Sequence, residues 1–163
     1  MALEPLGQWY CDRCGGVIAS ADQGWLEWLN DRGKDGTSLV RHDFHIVHLQ
    51  GYSPKAHSYG CFFYHEEAHG SIGLDHYAGP RGFINMMSLI DEGRHCNEEY
   101  SGPFVRDLRE WAELMRRLFL PNYESARRYW SQALSDGFFE GKDDYLIYTP
   151  EGLQELIEQY EDS

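Results

Sequence analysis

Cys11-Asp-Arg-Cys14-Gly-Gly16 is the stretch that decides how this chain folds. Two cysteines separated by two residues place two sulfurs on one tight turn, and the glycines behind them let backbone amides approach those sulfurs without a Cβ clash. A tetrahedral zinc site takes two of its donors from such a turn. The same spacing also serves thiol redox chemistry, but a redox pair opens a helix after a buried strand. Here Gly15-Gly16 breaks helix propensity directly after Cys14. The turn therefore predicts a structural zinc knuckle, with two further ligands downstream.

Eight histidines and two more cysteines compete for those places. Phe44-His45-Ile46-Val47-His48-Leu49 has the composition of a strand, on which His45 and His48 point to opposite faces, so only one of them reaches a given metal. His48, on the face of Phe44 and Ile46, is the expected third ligand. Periodicity alone does not decide between the faces, and His45 is the alternative. Cys61 follows a glycine inside the aromatic run Tyr59-Gly60-Cys61-Phe62-Phe63, which suits a ligand on a neighbouring strand. Cys96, in Glu92-Gly93-Arg94-His95-Cys96-Asn97, is its substitute. Cys11, Cys14, His48 and Cys61 are thus the expected ligands of a structural Zn2+.

Outward from the knuckle the hydrophobic pattern changes once, near Tyr77-Ala78-Gly79-Pro80. Before it, Gly24–Leu29, Ser38–Val40, Phe44–Leu49 and Cys61–Tyr64 read as short strands between Gly, Asp and Pro turns. After it the period is helical. Phe83, Ile84, Met87 and Ile90 recur at three and four residues behind Pro80, and Val105, Leu108, Trp111, Ala112, Met115 and Leu118 do so between Pro103 and Leu120, with Ser101 as cap. Tyr123–Ser135 forms a third helix, and Thr149-Pro150 opens a fourth through Leu153, Leu156, Ile157 and Tyr160. Residues 137–148, two apolar runs around Gly141-Lys-Asp-Asp144, predict a β-hairpin. The expected fold is α+β: a short-stranded, zinc-ribbon-like region over 1–78 packed on a helical region over 79–163.

Composition bounds the function. A chain of 163 residues with 42% hydrophobic residues builds a core, and no stretch approaches the twenty apolar residues of a membrane span. The start, Met1-Ala-Leu-Glu-Pro-Leu-Gly-Gln8, has neither a basic region nor an apolar run, so a cytoplasmic location with reduced thiols is expected, which favours metal over disulfides. Net charge is −13, and residues 136–163 carry nine acids against the single Lys142. Such a surface repels a phosphate backbone and suits a basic protein partner. Helix, Pro-Asn break, helix and hairpin is nevertheless the order of a winged helix-turn-helix, which would put Glu124, Arg127, Arg128 and Gln132 on a reading helix. Against DNA binding stand the acidic hairpin tip and arginines that suit ion pairs, such as Glu113 with Arg116 and Arg117.

His65-Glu66-Glu67-Ala68-His69 satisfies the zinc-hydrolase pattern His-Glu-x-x-His, in which two imidazoles share a helix face and the glutamate activates a zinc-bound water. The run on to His76 misses the spacing of the longer metzincin motif by one residue. Glu67 fills a position that is apolar in a buried catalytic helix, Gly70 follows at once, and seven histidines between residues 42 and 76 make a chance match not negligible. Solvated loop histidines are the plainer expectation.

Over Trp9–Trp28 and Leu118–Arg127 the chain resembles uncharacterised bacterial proteins in which a Cys-x-x-Cys-Gly zinc-ribbon-like start precedes a small helical region. That resemblance implies ligand status for Cys11 and Cys14 and no activity. The resulting expectation is a non-enzymatic, zinc-stabilised binding or regulatory protein acting through protein–protein contacts. A zinc hydrolase and a winged-helix-like DNA-binding regulator are the alternatives.

Overall fold

A computed structural model describes residues 3–54, 59–65, 69–93, 95 and 102–161. The fold is α+β, with two small antiparallel sheets and a helical C-terminal half. The first sheet is the knuckle itself, β1 (Trp9–Tyr10) against β2 (Val17–Ile18). The second has the order β4–β3–β5, from β3 (Gly24–Arg32), β4 (Leu39–His48) and β5 (His69–Gly73).

β3 is central, and its Leu26, Glu27 and Trp28 are all buried, as a strand covered on both faces requires. The strands expected at 38–40 and 44–49 are one strand, interrupted at a bulge where Asp43 and Phe44 together oppose Trp28. Asp43 takes φ +57 there, a left-handed conformation that Asp tolerates. β5 was not expected, because Gly70 and Gly73 weaken the strand pattern. Conversely, the strand expected over Cys61–Tyr64 is a turn outside both sheets.

Beyond Tyr77 the helices are α1 (Gly79–Ser88), α2 (Leu108–Phe119), α3 (Tyr123–Ala126), α4 (Trp130–Ser135), α5 (Asp144–Ile147) and α6 (Pro150–Glu161). α1 forms where expected but turns a different face inward: Gly82 and Met86 are buried, while Phe83 and Ile84 are exposed. Gly82 allows this, since a Cβ there would lie 2.0 Å from the Tyr77 carbonyl carbon. α2 starts at Leu108 rather than near Pro103, capped by the Asp107 carboxylate, which accepts from the Arg109 amide at 2.7 Å. Ser101, the expected cap, lies outside the described residues. Residues 104–106 instead run along β4, with the Arg41 amide donating to the Phe104 carbonyl and the Arg106 amide to the Arg41 carbonyl.

The third expected helix is broken by a 3-10 turn at Arg127–Tyr129. The expected hairpin over 137–148 is absent: Asp143 caps α5, accepting from the Tyr145 amide, and Asp144 adds an acid to its first turn. Without that hairpin the winged-helix order loses its wing. Of the residues expected on a reading helix, Glu124 is buried and Arg127, half-buried, reaches Asp12, Glu113 and Glu124, while Arg128, 4.3 Å over the Tyr10 ring, and Gln132 are exposed.

Two apolar clusters hold the described residues together. One gathers Trp9, Ile18, Leu26, Ile46, Val47, Leu74, Met86 and Leu118 from both sheets, α1 and α2. The other gathers Tyr123, Ala126, Ala133, Leu153, Leu156, Ile157 and Tyr160 from α3, α4 and α6. α6 buries the apolar stripe that its period predicts.

Candidate metal centre

The knuckle is built by backbone bonds. β1 and β2 pair Tyr10 with Val17, the Cys11 amide donates to the Gly16 carbonyl at 2.9 Å, and the Gly15 amide donates to the Cys11 carbonyl at 2.8 Å. Gly15 closes the turn at φ +72, where a Cβ would be strained. The Gly16 amide then points at the Cys14 sulfur, 3.4 Å away. This is the approach of amide to sulfur that the two glycines predict.

His48 ends β4 opposite Gly24 and enters the knuckle from the second sheet. Its Nε2 lies 3.1 Å from the Val17 carbonyl, and because a carbonyl only accepts, Nε2 carries the proton. The Nδ1 lone pair is left facing Cys14 Sγ at 3.4 Å and Cys61 Sγ at 3.8 Å. Cys61 arrives from the turn after Gly60, its sulfur 3.0 Å from the Ser53 hydroxyl. Cys11, Cys14, His48 and Cys61 therefore present four donor atoms within 4.8 Å of one another, a group that can hold a metal ion. Cys11, His48 and Cys61 are buried, and Cys14 is half-buried.

Burial pushes the Cys11 thiol up, against neighbouring backbone amides that favour the thiolate. A cation among the sulfurs reverses that balance, because it converts desolvated anions into ligands. The site is also tied to the rest of the protein through Asp12, which lies between the two knuckle cysteines. Its Oδ2 accepts from the Ile46 amide and from Arg117, each at 2.8 Å. Arg117, 5% exposed, also donates to both Glu124 oxygens at 2.9 Å and to the Tyr10 carbonyl at 3.2 Å. Of the two partners expected for Glu113, Arg116 pairs with it at 3.8 Å, whereas Arg117 turns to Asp12 and Glu124 and Arg127 takes its place at 3.7 Å. Neither Asp12 nor Ser53 stands out in the sequence. An acid inside a Cys-x-x-Cys turn facing a distant arginine is the only signal of the first.

The other candidates lie elsewhere. His45 is on the opposite face of β4, stacked on Phe63 at 4.1 Å and 3.5 Å from Asp43. Cys96 lies outside the described residues. Of the hydrolase-like motif, Glu66, Glu67 and Ala68 also lie outside them. His65 packs on Tyr59 outside any helix, and His69 opens β5 opposite Leu29, so the two do not stand on one helical face. No helix among the described residues is long and apolar enough to cross a membrane. No family model, no curated protein and no solved structure matches the chain significantly.

Proposed function

We propose that the chain is a non-enzymatic, zinc-stapled binding protein of the cytoplasm that acts through contacts with another protein. The observation that carries the metal is the four-donor cluster. Three sulfurs and an imidazole are the donor set zinc takes in closed structural sites. A tetrahedron with ordinary zinc bond lengths has sulfur–nitrogen edges of about 3.6 Å. Two of the three such edges here, from Cys14 and Cys61 to His48, are 3.4 and 3.8 Å and bracket that value. The Val17 carbonyl on Nε2 and the Ser53 and Gly16 donors on the sulfurs form the outer layer that orients such ligands. With four protein donors no position is left open for substrate, which favours stability over catalysis.

Support for a protein partner comes from the helical end. Tyr145 and Leu146 are more than half exposed within the stretch that carries the nine acids, as is Leu134 just before it. Exposed apolar side chains among acids suit a partner with basic residues around an apolar anchor.

Elemental mass spectrometry on wild type, Cys14→Ser and His65→Ala tests the reading. We expect one zinc per chain, lost in Cys14→Ser and kept in His65→Ala. Metal lost on His65→Ala, together with a hydrolytic activity abolished by Glu66→Gln, would replace the reading with an enzyme. For the partner half, any complex isolated with the wild-type chain should weaken in Leu146→Asp and at high salt.

A further inference from the structure

Toward the other end of β4 from His48, Arg41 stands in an unusual electrical position. Its backbone is fixed on the edge of β4 by the Phe104 carbonyl and the Arg106 amide, and its guanidinium lies 5.8 Å over the Trp28 ring. Its Nε is fully buried and has no hydrogen-bond partner. Four described arginines are buried or half-buried, Arg41, Arg116, Arg117 and Arg127, and the last three each have a carboxylate within 3.8 Å. Among the described residues no carboxylate lies in ion-pair reach of Arg41. In a chain of net charge −13 this is not for want of acids.

Arg41 also lines a cleft of about 340 Å3, a volume at the lower end of the small-molecule range. Leu39, Leu89 and Phe104 give it apolar walls. Tyr77 contributes a phenol from a ring packed edge-on against Trp28. Asn85 and Ser88 line it from α1; the Asn85 amide spends one N–H on the His76 carbonyl and keeps a second. Glu92 also lines it, and its charge opposes a dianion more than a monoanion.

The geometry points to a binding site for a small monocarboxylate with an apolar body, its carboxylate paired with the terminal nitrogens of Arg41 and its body against Leu39, Leu89 and Phe104. Guanidinium and carboxylate match as two parallel charge-assisted bonds. This site is independent of the metal centre and of any protein partner.

Titration of the 15N-labelled full chain with benzoate, acetate and inorganic phosphate tests it, read at the Arg41 Nε and Trp28 indole resonances. We expect a saturable shift with benzoate, weaker binding of acetate, and no saturable shift with phosphate. Arg41→Gln should weaken benzoate by roughly tenfold or more, the loss of a bidentate charged pair. Arg106→Gln, which removes only the exposed pair with Asp31, should leave it unchanged. If Arg41→Gln does not fold, Arg41→Lys decides, because it keeps charge and stem but loses the fork. No saturable shift with benzoate, phosphate binding as tightly as benzoate, or undiminished affinity in the folded Arg41 variant would each overturn the proposal.

Discussion

Arg117 carries a full charge into a place where 5% of it meets solvent. Burial opposes that charge, but Glu124 and Asp12 more than offset it and hold the group above the usual arginine value. Removing one member of such a network leaves the others buried and unmatched. Arg117→Met should therefore destabilise the protein by about 3–5 kcal/mol in urea unfolding, and Arg117→Met with Glu124→Gln should recover part of the loss. Glu27 is a second buried charge, 1% exposed, accepting from the Phe63 amide at 2.8 Å. Burial raises its pKa above the ordinary 4.5 despite the favourable amides. The folded state then holds a proton that the unfolded state has released, so Glu27 favours folding below its unfolded pKa and that contribution is lost as pH rises through its raised folded value. Stability of Glu27→Gln should decline less steeply than wild type as pH rises from 4.5, measured by denaturant midpoints. The four clustered donors were legible at this scale because chemistry restricts them to Cys and His. Arg117 and Glu27 were not, because nothing in a linear pattern says that a charge is inside.

At the scale of elements, legibility followed how far local signals were independent of packing. α6 was plain from its stripe of Leu153, Leu156, Ile157 and Tyr160. α1 was plain as a helix and misleading as a surface: the larger residues Phe83 and Ile84 suggested one buried face, while closeness to Tyr77 selected the face of Gly82. Substituting Gly82 by Ala should accordingly push α1 off the Tyr77 backbone and cost about 1–3 kcal/mol, visible as a lowered melting temperature. β4 appeared as two pieces because Asp43 bulges in its middle, and β5 did not appear because two of its five residues are glycine. At 137–148 the Asp143-Asp144 pair served as a helix cap rather than as a hairpin turn, since the same residue types favour both.

For the whole molecule, the candidate metal centre and the first apolar cluster coincide, since Cys11 and Cys61 belong to both. Zinc at such sites contributes on the order of 10 kcal/mol to folding. Chelation, or Cys14→Ser, should lower the melting temperature of the whole chain. Hydrogen exchange should show where the loss spreads: faster in β1–β4 at once, faster in α3 through the Asp12–Arg117–Glu124 chain, and slowest to change in α6, whose buried face lies in the second cluster. Uniform acceleration across α6 and the strands would contradict this order. The chain of bonds from Asp12 to Glu124 also sets a timetable. During synthesis Cys11, Cys14, His48 and Cys61 are all made before Arg117, which follows Cys61 by about 56 residues, some 3–11 s at ribosomal speed. Over that interval the nascent knuckle can already gather its donors while Asp12 still waits for its cation, so the order of translation separates metal loading from the arrival of the helices.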